Sequence, residues 1–307
     1  DILKVSPTVI PKSDSGIAIS VAVVLASCSK GKNEATREER SSGLKETNLL
    51  EQGMQSVKNG KPEEAEKYFR QALELNPNYI EALNNLGAVL TQLERYEEAD
   101  SLLRRAIELD STYAIGYFNL GKNCFEWKKY DDGIEALSKG LAIKEDPGAY
   151  LLLGDCLDRK HKFKESLEAY LKSAEMDSAN PRVDYSIGNS LVSQGKYKDA
   201  IPYYKKAIEL YPKYADAYNN LGVAYAALKD YKEAEEVIKK AIELKPDYPA
   251  AYMNLALCYE NQGYHTKAAE EMKKYLKYAP EDAPDREFVK GKMEELRKLP
   301  DGAKTEE

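Results

Sequence analysis

A glycine returns along this chain at a near-constant interval, nearly always after leucine or isoleucine. Gly53, Gly87, Gly121, Gly154, Gly188 and Gly222 are followed in the same register by Ala256, and the step is 34 residues throughout except for one of 33. A period of this size restricts the fold to an array of helical units, each resting on its neighbours. At 307 residues the chain could hold two ordinary domains. The periodic region leaves little length for a separate catalytic one.

The other fixed points keep the same beat. Twelve residues after each step stands a small residue, at Ala65, Ala99, Gly133, Ser166, Ala200, Ala234 and Ala268. Seven further on stands a second, from Ala72 to Ala241, with Tyr275 as the exception. Tyr96, Tyr130, Phe163, Tyr197 and Tyr231 precede the first small residue by three, and Pro77, Pro212, Pro246 and Pro280 close four units. Small residues let two helices approach closely, aromatics fill the space beside them, and proline ends the second helix.

The segment YNNLGVAYAALKDYKEAEEVIKKAIELKPDY, Tyr218 to Tyr248, resembles the tetratricopeptide repeat family. The resemblance implies an all-α, right-handed superhelical solenoid of seven helix-turn-helix units, at 46–79, 80–113, 114–146, 147–180, 181–214, 215–248 and 249–282. A capping helix is expected over 283–299, with Phe288, Val289, Met293 and Leu296 on its apolar face, and a disordered tail over 300–307. The third unit carries Gly133 and Gly140 inside its second helix. Each costs up to about 1 kcal/mol relative to alanine, which makes this the expected weak joint.

Composition narrows the function. The net charge is −7, and acids and bases interleave along the second helices as a solvated, ion-paired face. No basic stripe is present to neutralise phosphates, so nucleic acid is not an expected partner. Only His161 and His265 are available as histidines, and no metal-ligand spacing, phosphate loop or nucleophile motif occurs. Glu97-Glu98 and Asp131-Asp132 open second helices, where acids favour the helix dipole. No catalytic activity, cofactor or metal is expected. Cys124, Cys156 and Cys258 fall in first helices and read as free, apolar thiols.

Cys28 stands apart. The segment GIAISVAVVLASC, Gly16 to Cys28, has an apolar run too short to span a bilayer and suited to a secretory signal. Leu25-Ala26-Ser27-Cys28 resembles the bacterial lipobox. The resemblance implies a signal peptide over 1–27, acylation of Cys28, and a polar tether over 28–45. With Ser29 in place of the aspartate that retains lipoproteins at the inner membrane, it implies anchoring at the periplasmic face of the outer membrane in a Gram-negative cell.

The family resemblance also implies a concave groove lined by first helices, which takes a peptide or helix of a partner protein. The residues just before the Leu-Gly step include Asn85, Asn119, Asn220 and Asn254, similar to an asparagine ladder that holds peptide main chain; Leu152 and Ser186 interrupt it. One residue earlier, Phe118, Leu151 and Tyr185 are expected to form an apolar strip for a partner. Asn189 and Asn220 match two places of the clamp by which some members grip a C-terminal carboxylate. Tyr185, Ala250 and Asn254 replace its basic residues, so that specialisation is not implied.

The chain therefore reads as a lipid-anchored envelope scaffold that binds another protein. A soluble cytoplasmic adaptor is the alternative, separable by membrane fractionation. The substrate-binding arm of a glycosyltransferase is a more distant one, since residues 283–307 are too few for a catalytic domain.

Overall fold

The computed structural model describes residues 37–302. Fifteen α-helices and no strand occur among them. They fall into two compact units, 37–176 and 177–302. The first holds four helix pairs: α1 (Arg37–Lys58) with α2 (Pro62–Leu75), α3 (Ile80–Gln92) with α4 (Tyr96–Leu109), α5 (Ala114–Glu126) with α6 (Tyr130–Ile143), and α7 (Pro147–Arg159) with α8 (Phe163–Met176). The second holds three pairs: α9 (Pro181–Ser193) with α10 (Tyr197–Leu210), α11 (Ala215–Ala227) with α12 (Tyr231–Leu244), and α13 (Pro249–Asn261) with α14 (His265–Tyr278). It ends in α15 (Arg286–Leu296). None of these helices is long and apolar enough to cross a membrane. Because α1 begins at Arg37, nine residues assigned to the tether by sequence are helical.

The turn within each pair is made the same way every time. One residue per pair has positive φ: Gly60, Glu94, Lys128, His161, Gly195, Lys229 and Gly263. The left-handed conformation reverses the chain in the fewest residues, and four pairs accept it without glycine.

The recurring glycine has a steric cause. A Cβ on Gly53 would lie 2.4 Å from Phe69, on Gly87 2.6 Å from Leu103, and on Gly121 2.4 Å from Leu137. In the fourth pair Gly154 would meet Tyr170 at 2.4 Å, and in the second unit Gly188 would meet Tyr204 at 2.5 Å and Gly222 Ile238 at 2.3 Å. These partners lie sixteen residues on, on the second helix, and all are buried. In the last pair the buried residues are Ala256 and Met272; a flexible thioether chain can yield to the extra methyl. The small residues of the second helices, including Ala65, Ala72, Ala234 and Ala241, are fully buried on the other side of the same contact.

Gly133 and Gly140 of α6 are packing positions too. A Cβ on Gly140 would lie 2.6 Å from the Phe118 ring, and one on Gly133 3.2 Å from Cys156 Sγ and 3.4 Å from Cys124 Cβ. The glycines make room for bulk on the neighbouring first helices, which offsets part of their helix cost. Cys124, Cys156 and Cys258 are buried free thiols, and burial pushes them up to about 11, 12 and 12.

Each second helix packs on the next first helix within its unit. First helices also touch their successors, α1 with α3, α3 with α5 and α5 with α7 in one unit, and α9 with α11 and α11 with α13 in the other, while second helices do not. Each unit therefore curves toward its first-helix side.

At the end of the second unit α15 buries Val289 and Leu296 against the last pair and half-buries Met293. Phe288, expected on that face, is exposed. Tyr275, the exception among the small residues, donates its hydroxyl to Asp285 at 2.5 Å, just ahead of α15. Lys292 pairs with Glu260 at 3.0 Å, and Gly302 N–H reaches Gly263 O at 2.8 Å.

Two outcomes follow from this packing. Gly222→Ala forces a methyl into the Ile238 side chain and should lower the unfolding free energy by about 1–3 kcal/mol in chemical denaturation. Gly291→Ala in α15, where a Cβ would meet nothing within 4 Å, should raise it by up to about 1 kcal/mol. The second outcome concerns Asp158, which accepts from the Ser166 and Tyr170 hydroxyls, yet burial pushes its carboxyl up to about 6. A raised folded-state value means stability gained as pH falls through about 6 and lost as it rises, by at most about 1.4 kcal/mol per unit. The denaturation midpoint should be higher at pH 5 than at pH 7.5, and Asp158→Asn should shrink that difference.

Candidate protein-binding face

The first-helix side of each unit carries a hydrogen-bonded amide network, built from paired asparagines. In the first unit Asn119 Nδ2 on α5 donates to Asn84 Oδ1 on α3 at 2.8 Å, and Asn84 Nδ2 donates to Asn85 Oδ1 at 3.3 Å. In the second unit Asn254 Nδ2 on α13 donates to Asn219 Oδ1 on α11 at 2.9 Å, and Asn219 Nδ2 to Asn220 Oδ1 at 3.1 Å. Asn220 Nδ2 continues to α9, donating to Asn189 Oδ1 at 2.8 Å and to the Tyr185 hydroxyl at 3.1 Å. Asn189 Oδ1 also accepts from the Tyr204 hydroxyl at 2.8 Å.

The hubs of both networks are buried: Asn84 is 2% exposed and Asn219 0%. Each satisfies its oxygen and its amide inside the protein, as a buried amide must. The outer members, Asn85, Asn119, Asn189, Asn220 and Asn254, are half-buried. Asn119 and Asn254 each keep an amide oxygen, and Asn85 an amide nitrogen, without a hydrogen-bond partner among the described residues. A main chain presents both donors and acceptors, so these groups can pair with it whatever its sequence.

Of the expected apolar strip, Leu151 is buried while Phe118 and Tyr185 are half-buried. Leu151 is 6% exposed. The Phe118 ring is half-buried over Gly140. The register one residue ahead of the ladder is buried at Leu50, Asn84, Leu151 and Asn219, and Asn84 and Asn219 bond across to the next first helix. Tyr185 is half-buried, with its ring 4.9 Å from that of Tyr214 and 6.1 Å from that of Tyr204. Burial, with Asp216 nearby, pushes its hydroxyl up to about 12. At the ladder interruptions, Ser186 is buried and Leu152 packs on the core of its unit. Sequence reasoning missed Asn84 and Asn219 as the bridging residues, although the doubled Asn-Asn ahead of Leu-Gly in the second and sixth repeats was there to be read. Cys28 lies outside the described residues.

Models described as tetratricopeptide repeat match residues 47–112, 147–180, 185–249 and 227–286, roughly two thirds of the chain. The chain belongs to the tetratricopeptide repeat family. Its fold is that family's helix-pair solenoid, and its broad role is that of a protein-interaction scaffold. Similar solved structures include YrrB, described as a TPR protein with an unusual peptide-binding site, at 26% identity and TM-score 0.53 over 60% of this chain and 95% of that one. Two others attest the fold alone. PilF of Pseudomonas aeruginosa has 20% identity and TM-score 0.62 over 69% of this chain and 96% of that one. A tetratricopeptide repeat protein from Parabacteroides merdae ATCC 43184 has 16% identity and TM-score 0.60 over 83% of this chain and all of that one. No curated protein matches the chain.

The network separates buried amides from half-buried ones. Asn219→Ala strands Asn220 and Asn254 at once and should cost about 1–3 kcal/mol in denaturant titration. Asn254→Ala strands one group, the Asn219 oxygen, beside the space the lost side chain opens to water, and should cost less than Asn219→Ala. Equal losses would show that the hub is no more structural than the rim.

Proposed function

We propose that this chain is a lipid-anchored scaffold of the bacterial envelope, holding an extended segment of a partner protein on its first-helix faces for assembly of an envelope complex. The observation that carries the binding reading is the row of half-buried asparagines ahead of the Leu-Gly step. Its amides are fixed from behind by buried hubs and keep polar valences in front. Preorganised amides give up little rotamer freedom when a main chain binds. The likeness to YrrB, described as having a peptide-binding site, supports the same reading.

The envelope reading rests on Gly16 to Cys28, an apolar run that ends in a lipobox-like tetrapeptide. Acyl chains contribute about 0.8 kcal/mol per buried methylene, so two or three anchor a protein stably. In cells fed labelled palmitate, the chain should take up label and sediment with membranes. Cys28→Ala should abolish both. Labelling that survives in the variant, or a wild-type chain that stays soluble, would favour a cytoplasmic adaptor instead. Affinity capture from detergent-solubilised membranes, followed by mass spectrometry, should return one dominant partner that is lost when Asn220 and Asn254 are both changed to alanine.

A further inference from the structure

The last helix carries a gap without a knob and a knob without a gap. Gly53, Gly87, Gly121, Gly140, Gly154, Gly188 and Gly222 each leave room that a side chain of the facing helix fills, 2.3 to 2.6 Å from where a Cβ would stand. Gly291 leaves the same room in the middle of α15, and nothing lies within 4 Å of it. A glycine inside a helix weakens it relative to alanine, and at the other positions a packed neighbour offsets the loss. Three residues earlier, on the same side of α15, Phe288 is 56% exposed, the most exposed aromatic side chain among the described residues. Val289 and Leu296, on the opposite side, are buried. Phenylalanine fits such a gap twice in the first unit: Phe69 fills the one at Gly53, and Phe118 the one at Gly140.

Phe288 cannot reach the Gly291 of its own helix. Two copies lying antiparallel, with a two-fold axis between residues 289 and 290, bring each Phe288 opposite Gly291 of the other copy. A parallel pair would set phenylalanine on phenylalanine and glycine on glycine. The charges have the same symmetry. Glu281 and Asp282 stand exposed ahead of α15, and Arg297 and Lys298 stand exposed at its end. None of the four takes part in an ion pair among the described residues. The same axis sets 281 opposite 298 and 282 opposite 297, so the acidic start of each helix runs along the basic end of the other. Between the ends, Glu287 is matched by Lys290 at 2.5 Å, and Lys292 by Glu260 at 3.0 Å. Glu294, at the basic end, is outweighed by Arg297 and Lys298. One face of an eleven-residue helix offers less than the roughly 800 Å² per partner of a standard interface, so the pair is a weak one.

We propose that two copies of this chain associate weakly and antiparallel through α15, each Phe288 seated in the gap at Gly291 of the other copy, with the acidic and basic ends crossed. The surface is separate from the asparagine rows, so it stands or falls independently of the peptide-binding reading.

Sedimentation equilibrium of the full chain, carrying Cys28→Ala so that no acyl group contributes, tests it. The chain should pass from monomer to dimer with a dissociation constant of about 10–100 μM. Phe288→Gly removes the knob and Gly291→Phe closes the gap, and each should weaken the dimer by about tenfold or more. The double change Phe288→Gly with Gly291→Phe exchanges knob and gap across the axis, and should restore pairing to within about threefold of the parent. Gly291→Ala should weaken pairing while raising the melting temperature, a split that loss of folding cannot produce. If the exchanged helix frays in circular dichroism, Gly291→Ala decides alone. A chain that stays monomeric, association that ignores both single changes, pairing left unweakened by Gly291→Ala, or a folded double variant that fails to recover would each overturn the proposal.

Discussion

The contact on which each helix pair depends is that of a bare α-carbon on the first helix with a large side chain on the second. Where glycine stands, the missing Cβ is the space that Phe69, Leu103, Leu137, Tyr170, Tyr204 or Ile238 fills. In these six pairs the large partner varies while the glycine stays, because any bulky apolar group can cap the gap; only in the last pair does alanine, Ala256, stand there, opposite the flexible Met272. The small residues seven apart on the second helices complete the approach. Once a pair is this close, its first helix can reach the first helix of the next pair, and the curvature of each unit follows.

Packing and the polar face are coupled at two of these contacts. Tyr170 and Tyr204 fill their glycine gaps with rings that carry hydroxyls through the core. The Tyr170 hydroxyl reaches Asp155 at 3.0 Å and Asp158 at 3.2 Å, and that of Tyr204 reaches Asn189. Asn189 is thereby held from the core side in the orientation that receives Asn220. A residue chosen for volume thus also sets the direction of an amide on the binding face.

The helix pairs were legible in the sequence because the steric demand is local and recurs in every pair, with glycine in six of seven and a near-constant spacing. The asparagines were legible as a row but not as a network. Their bonds join residues 35 apart, such as Asn84 and Asn119, and exist only once the first helices are packed. Apolar character alone could not show that Leu151 is buried, since an anchor for a partner and a core residue have the same composition. Gly140, standing where most pairs carry alanine, was the sign that Phe118 packs inward.

The amide network has a sense. In the second unit every amide bond runs one way, Asn254 donating to Asn219, Asn219 to Asn220 and Asn220 to Asn189, from later helices to earlier ones. The shorter network of the first unit, from Asn119 through Asn84 to Asn85, has the same polarity. Reversing one amide would set donor against donor on one side and acceptor against acceptor on the other, so the members of a row must turn over together. Each row is therefore vectorial, with an unsatisfied acceptor at its C-terminal end, on Asn119 or Asn254. The polar valences of each row are thus distributed asymmetrically along it, a property of the row as a whole and not of any one asparagine.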